Sequence, residues 1–342
     1  MESIELNVNP TTNQTSAAPT DGALMRCYGG IEADLAQVEA ILKREMSSKF
    51  PAVSDIVSYG YLLGGKRLRP ALVLLCGQAW SNLSGDHHKL GAVLEMVHTA
   101  TLIHDDVLDG AETRRHLPTI HHRWGTESSV LVGDFLFTHA FYLASTLPTT
   151  LAARKIGQAT NAVCEGELRQ ITTKGRFDLS EEEYLSIIEA KTAVLCECAC
   201  ELGTLYADAP EGAARQAAEY GRCLGIAFQI VDDLLDIEGD ADSTGKTLGT
   251  DLAQRKPTLP LIHALKVASP EVKKQMLAVL SEELPCAEKV QAWLEEFDSA
   301  AYARETAIRY VETALHSIAE WPTNDATTAL RQLAEFVLKR CY

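Results

Sequence analysis

The 342-residue chain has no uninterrupted apolar run of about 20 residues, the length a bilayer-spanning helix needs. Aromatic residues make up only 6% and strand-like alternation is missing, which argues against a sandwich or barrel of short aromatic-rich strands. Proline is absent from the 61 residues between Pro148 and Pro210, so nothing there interrupts long helices. Basic charge is scarce: a formal net charge of −16 repels phosphate backbones and excludes nucleic acid as a natural partner. An anionic substrate must therefore be held by a local cluster of Lys and Arg or by divalent cations. No Lys or Arg precedes Arg26 and no apolar run accompanies it, so neither a secretory nor an organellar leader is expected.

Nine cysteines, an odd number at irregular spacing, suit reduced thiols in a cytoplasmic protein rather than a disulfide framework. Cys196, Cys198 and Cys200 form a CxCxC run, but residues two apart on a helix point about 200° away from each other. Their sulfurs cannot converge on one ion, and packing is the expected role.

Residues 1–25, rich in Asn, Thr, Ser, Pro and Ala, read as a disordered tail. From Ile31 onward apolar residues recur at helical spacing: Ile31, Leu35, Val38, Ile41 and Leu42 form the first stripe. Comparable patterns cover 52–63, 70–81, 88–109, 126–146, 151–173, 181–207, 211–238, 258–267, 270–282, 286–297, 299–319 and 325–340. The expectation is one all-α domain over 26–342, a bundle of ten or more helices around a central cavity.

Asp105, Asp106 and Asp109 form DDVLD among the apolar Leu102, Ile103, Val107 and Leu108. Positions four apart share a helix face, so Asp105 and Asp109 project side by side with Asp106 nearby. Crowded carboxylates destabilise a helix unless a cation lies between them, and oxygen ligands without thiolate suit Mg²⁺. Alone, the pentad reads equally as a solvated acidic face. It recurs, however, as DDLLD at Asp232, Asp233 and Asp236, embedded in Phe228, Ile230, Val231, Leu234 and Leu235. Two such faces suggest paired metal-binding walls on one cavity with a diphosphate between them, because Mg²⁺ completes its shell with substrate phosphates.

Gly64-Gly65-Lys66-Arg67-Leu68-Arg69-Pro70 is a glycine turn with three cations just before a helix start, a setting that favours an anion. Arg114 and Arg115 follow the first pentad and suit bidentate binding of phosphate oxygens.

With these residues in view the chain resembles the trans-isoprenyl diphosphate synthases, or polyprenyl synthetases. The likeness rests on GGKRLRP, HTATLIHDDVLDGAETRR, SVLVGDFL, EGELRQ, EAKTAVL, AFQIVDDLLDIEGD and GKTLGTDLAQRKPTLPL, in order over roughly residues 30 to 340. The resemblance implies an isoprenoid-synthase-type helical fold. It implies that isopentenyl diphosphate is bound by Lys66 and Arg69 with His98 and Arg115, Arg67 being less clearly involved. The allylic diphosphate would be held through two or three Mg²⁺ ions on Asp105, Asp109, Asp232 and Asp236, with Asp106 and Asp233 supporting. Arg114, Lys191, Lys246 and Lys256 would grip it directly, and Thr192 and Gln229 would line the carbocation. His104 is expected to be structural. One departure stands out: His116 replaces the Gly usual after the Arg pair, followed by His121 and His122, which lack partner ligands for a second metal site.

The chemistry implied is ionisation of the allylic diphosphate, attack by the isopentenyl double bond, and proton loss to the released diphosphate, in a cavity that excludes water. Small residues at Ala100 and Thr101, with Met96, Val97 and Val93 beyond, leave room for a long product. The expectation is an all-trans polyprenyl diphosphate of about C30 to C50, by family analogy. A geranylgeranyl or farnesyl synthase is the alternative. A class I terpene cyclase lacks the second pentad and glycine turn, and a non-catalytic synthase subunit would have lost aspartates or basic grips. A purely structural bundle would bury six aspartates without a cation. The resemblance also implies a homodimer, with loose membrane proximity for release of a greasy product.

Overall fold

Local capping chemistry divides the chain. Ser84 and His87 form a reciprocal cap, as do Ser180 and Glu183, while the side chains of Thr119, Ser269 and Asn324 accept from backbone N–H groups of the first turns they precede. Pro51 and Pro270 occupy first-turn positions where a missing N–H costs nothing. The computed structural model describes residues 27–28, 30–238, 250–282 and 285–340.

The resulting fold is all-α. Its helices are Glu32–Glu45 (α1), Pro51–Leu62 (α2), Leu68–Gln78 (α3), Gly85–Leu108 (α4), Ile120–Ser145 (α5), Leu151–Thr173 (α6) and Glu181–Ile188 (α7). After a π-helical turn at Glu189–Ala193 come Val194–Leu205 (α8), Ala213–Glu238 (α9), Thr250–Ala253 (α10), Leu259–Val267 (α11), Pro270–Leu280 (α12), Ala287–Glu296 (α13), Ser299–Ser317 (α14) and Asp325–Lys339 (α15). The N-terminal tail expected over 1–25 lies outside the described residues.

α4, bearing the first acidic pentad, packs along α5 and beside α1 and α3. α9, bearing the second, packs against α8, α14 and the π turn. One large core runs through these helices and includes Leu72, Leu74, Leu94, Met96, Ile226 and Ile230, all fully buried. A smaller cluster around Leu261, Met276, Leu280 and Leu294 joins α11, α12 and α13. The CxCxC sulfurs belong to the large core, and burial pushes the thiols of Cys196, Cys198 and Cys200 up.

Three features depart from the periodicity. The helix expected from 126 does start there, after Gly125 (φ 84°, ψ 170°), a kink that no L-residue adopts easily; ahead of it an extra turn, capped by Thr119, runs from Ile120. The segment 181–207 is not one helix: the π turn at 189–193 splits it. Between α4 and α5 a two-residue antiparallel ladder pairs Thr113 with Pro118 and Arg114 with Leu117, too short to leave any alternation in sequence. Among the described residues no helix is long and apolar enough to cross a membrane.

Candidate functional site

The first acidic face sits at the C-terminal end of α4. Asp109 caps the helix and its N–H donates to Asp105 O at 2.8 Å, so the two carboxylates are one turn apart as the spacing requires. Asp105 is half-buried; desolvation pushes its carboxyl up to about 6, opposed by Lys191 and reinforced by Glu167 and Asp109. Lys191 is held by Glu167 at 2.7 Å, and Lys174 and Lys256 approach Asp109 Oδ1 at 3.8 and 3.7 Å.

Asp106 turns the other way. It is buried, and its Oδ1 accepts from Arg114 Nε at 2.8 Å, with Nη2 of the same guanidinium in ion-pair contact at 2.8 Å, so it anchors Arg114. The aim of Arg114 and Arg115 is set by the short ladder. Arg115 (φ 52°) and His116 (φ 64°) occupy its two central turn positions, both left-handed, as a type I′ hairpin demands. Glycine tolerates that conformation best, and here an imidazole has it instead. The turn sends Arg114 towards Asp106 and Arg115 towards the glycine turn, where Nη1 donates to Leu63 O at 3.2 Å. A methyl group on Gly65 would come within 2.3 Å of the Arg115 guanidinium.

Arg69, at the start of α3, and Arg115 both bear on His98. Burial first, then the positive charges of Arg69, Arg115, Arg114 and Arg67, push this histidine well below its ordinary range. It is therefore a neutral hydrogen-bonding group at physiological pH. Lys66 is exposed in the same turn. Arg67 is diverted: its Nε meets Glu39 at 2.5 Å and its Nη1 meets Glu95 at 2.8 Å.

The second acidic face is built by contacts around α9. Asp233 is buried and accepts from Tyr184 OH at 2.7 Å and from Gln229 Nε2 at 2.8 Å, while Thr192 donates to Gln229 Oε1 at 2.9 Å. Desolvation, with Asp251 and Asp232 nearby, pushes the Asp233 carboxyl up to about 8, opposed by those two donors. Asp236 Oδ2 accepts the Asp251 N–H at 3.0 Å, and Asp232 Oδ1 accepts from Arg340 Nη2 at 3.1 Å. The Arg340 guanidinium also stacks on Phe228, 4.5 Å from the ring centre.

The π turn presents Lys191 and Thr192 because two helices grip it from opposite sides. A methyl group on Gly166 of α6 would fall 2.7 Å from Lys191 N, and one on Gly225 of α9 would fall 2.5 Å from Ala193 Cα. Only glycine permits both approaches.

The two faces are joined. Lys256 Nζ is 3.7 Å from Asp109 and 3.8 Å from Asp251, whose N–H bonds Asp236. Asp105, Asp109, Lys191, Lys256, Asp236 and Asp251 thus border one region. Lys246 lies outside the described residues. Among the described residues no three His, Cys, Asp or Glu side chains converge as a closed metal cage. The oxygen-only character of Asp105, Asp109, Asp232 and Asp236 nonetheless fits a hard divalent cation that takes further ligands from a substrate.

Of the remaining candidates, Ala100, Val97, Met96 and Val93 are fully buried on α4, and Thr101 is half-buried with its hydroxyl donating to His98 O at 2.7 Å. His104 meets Val130 O at 3.2 Å across the α4–α5 contact, and His121 pairs with Thr126 Oγ1 at 3.2 Å. The sequence reading missed Glu167, Lys174, Tyr184, Asp251 and Arg340. Asp251 stands inside GKTLGTDLAQRKPTLPL near Lys256, and Glu167 inside EGELRQ, so both lay within motifs already singled out.

Comparison with known proteins shows the family. Residues 51–297 match the polyprenyl synthetase family. The heptaprenyl diphosphate synthase component 2 of Geobacillus stearothermophilus is 35% identical over 93% of this chain and 99% of its own length. A decaprenyl diphosphate synthase from Rhodobacter capsulatus superposes with a TM-score of 0.88 at 34% identity, covering 93% of this chain and 99% of that one. A polyprenyl synthase from Caulobacter crescentus, solved with calcium and isoprenyl diphosphate, superposes with a TM-score of 0.86 at 33% identity over 93% and 98%.

Proposed function

Because the chain belongs to the polyprenyl synthetase family and is a prenyltransferase, we propose that it condenses isopentenyl diphosphate head to tail with an allylic diphosphate, making an all-trans product of about C30 to C50. The observation that carries this reading is the run Asp109–Lys256–Asp251–Asp236, which ties the two acidic faces to one region. Small, buried Ala100 and the neighbouring Thr101 support a long product, as do similar proteins named heptaprenyl and decaprenyl diphosphate synthases.

Asp105, Asp109, Asp232 and Asp236 are the residues that would hold magnesium, the divalent ion suited to oxygen donors and diphosphate. When bound, the ions neutralise charge that builds on the departing diphosphate. Lys191 and Lys256 add fixed positive charge beside Asp105 and Asp109, where leaving-group oxygens gain it. Arg114, held rigid by Asp106, offers its remaining nitrogen to the same group. Lys66, Arg69, Arg115 and neutral His98 would hold isopentenyl diphosphate. Thr192 and Gln229 are oriented by hydrogen bonds that run towards Asp233, which fixes their oxygen dipoles near the developing cation. Lys246 is assigned with the allylic grip by its motif alone. Exposed Leu131, Tyr142 and Leu168 on α5 and α6 support a homodimer, and the product's greasiness suits release near a membrane from a cytoplasmic protein.

The test is incubation with farnesyl diphosphate, isopentenyl diphosphate and Mg²⁺, followed by mass analysis. The expected product series ends between C30 and C50, as the family analogy has it. A series ending at C20 would overturn the product assignment. Full turnover by Asp105→Ala or Asp232→Ala would overturn the metal assignment.

A further inference from the structure

We infer that Arg67 is the positioning residue of the isopentenyl diphosphate grip, locking the glycine turn to α1 and α4 through Glu39 and Glu95. The inference rests on the reading of Lys66 and Arg69 as the cations of that grip.

Arg67 lies between the two proposed phosphate cations in sequence, yet its charge is turned inward. Nε donates to Glu39 Oε1 at 2.5 Å, Nη2 to Glu39 Oε2 at 3.4 Å and Nη1 to Glu95 Oε1 at 2.8 Å. All three guanidinium nitrogens thus serve carboxylates of two different helices. Tyr61 completes the cage: its hydroxyl donates to Glu39, and its ring lies 5.1 Å from the guanidinium carbon. Glu95 is only 2% exposed, so without Arg67 a carboxylate would be stranded in the core.

The backbone pays for this arrangement with strain. Arg67 is left-handed (φ 54°) at the position capping α3, a conformation an L-residue keeps only when its surroundings impose it. The guanidinium also folds back on the turn: a methyl group on Gly64 would meet Nη1 at 2.1 Å. Gly64 therefore makes room for Arg67, as Gly65 does for Arg115. The glycine pair is a floor for two guanidinium groups, which sets where the turn can lie.

The consequence is directional. Lys66 and Arg69 flank a residue bolted to α1 and α4, and Glu95 lies ten residues before Asp105 on that same α4. The Arg67–Glu95 ion pair thereby helps to hold the spacing between the isopentenyl grip and the first acidic face. A lysine cannot replace Arg67, since one ammonium does not reach two carboxylates with the geometry of a fork.

Steady-state kinetics on the full chain tests this, with Lys66→Ala as the control for the grip. Arg67→Gln and Glu95→Gln are expected to raise KM for isopentenyl diphosphate about tenfold, while KM for the allylic diphosphate stays within about twofold. Arg67→Lys is expected to restore little. Should Arg67→Gln not fold, Tyr61→Phe, which loosens Glu39 without touching either charge, is read the same way with a smaller rise. An unchanged isopentenyl KM, or an equal rise for both substrates, overturns the positioning role. If Lys66→Ala itself leaves the isopentenyl KM unchanged, the assignment of the grip fails instead.

Discussion

Lys256 and Asp109 approach to 3.7 Å although they are 147 positions apart, and the same ammonium lies 3.8 Å from Asp251. Lys256 is mostly shielded from solvent, whereas Asp109 stands at the exposed end of α4. Lys256→Met removes a charge that lies beside Asp109 of the first face and beside Asp251, whose N–H bonds Asp236 of the second. As the proposed grip on the allylic diphosphate its ammonium would contribute about 1.5 to 3 kcal/mol through a charge-assisted hydrogen bond, so the allylic KM should rise about 10- to 100-fold. Initial-rate measurements with varied allylic diphosphate check this, and an unaltered KM would count against the joined site.

His98 gives a pH signature. Its folded pKa is depressed by burial and by Arg69, Arg115, Arg114 and Arg67, so the folded state stays neutral while the unfolded chain takes up a proton below about 6.5. More protons on the unfolded state means that stability falls as pH drops through that value, by up to about 1.4 kcal/mol per unit. His98→Asn removes this term. Urea unfolding of both proteins between pH 7.5 and 5 should show the variant losing less stability on acidification, and parallel curves would refute the assignment.

Product length is expected to follow Ala100. It is fully buried on α4, five residues before Asp105, and an aromatic ring there fills space next to the first acidic face. Ala100→Phe should shorten the product by several isoprene units, read by mass analysis. The same distribution from both enzymes would place the growing tail elsewhere.

Gly225 has the tightest approach to the π turn. The added methyl of Gly225→Ala would meet Ala193 Cα at 2.5 Å and Ala193 Cβ at 2.8 Å, and backbone cannot yield as a flexible side chain can. Overpacking of this kind costs about 1 to 3 kcal/mol. Denaturant midpoints should register it. Because the displaced turn carries Lys191 and Thr192, kcat should fall in the folded fraction as well.

His116 is strained without visible return. It is exposed and left-handed (φ 64°), and among the described residues no hydrogen bond or ion pair of its side chain accompanies the strain. His116→Gly should relieve about 1 kcal/mol and raise the melting temperature, with no change in the Arg114–Asp106 pair. A drop in melting temperature would mean that the imidazole stabilises the hairpin in solution.

Helical periodicity carried most of the architecture, because long amphipathic stripes such as Leu35–Val38–Leu42 are dictated by the 3.6-residue turn. Spacing alone placed Asp105 and Asp109 on one turn. Tertiary choices were not legible. Asp106 looks like its neighbours in sequence, yet it faces inward to Arg114. Arg67 looks like Lys66 and Arg69, yet two distant carboxylates capture it. Tyr184 and Arg340 sit in helices whose patterns do not differ from other amphipathic stretches, and only the packing of α7 and α15 beside α9 gives their polar tips a role. The π turn was not legible either, although Gly166 and Gly225, which let α6 and α9 approach it closely, stand in the sequence.

Arg114 and Arg115 are consecutive, yet the two-residue hairpin sends one guanidinium to the α4 carboxylate and the other to the glycine turn. A single peptide unit therefore acts as a gauge between the first acidic face and the glycine turn, the two places proposed to anchor the diphosphates. Neither anchorage can drift without dragging the other, so a lineage adjusting its preferred starter would have to alter the pockets around this strut while keeping the strut's length.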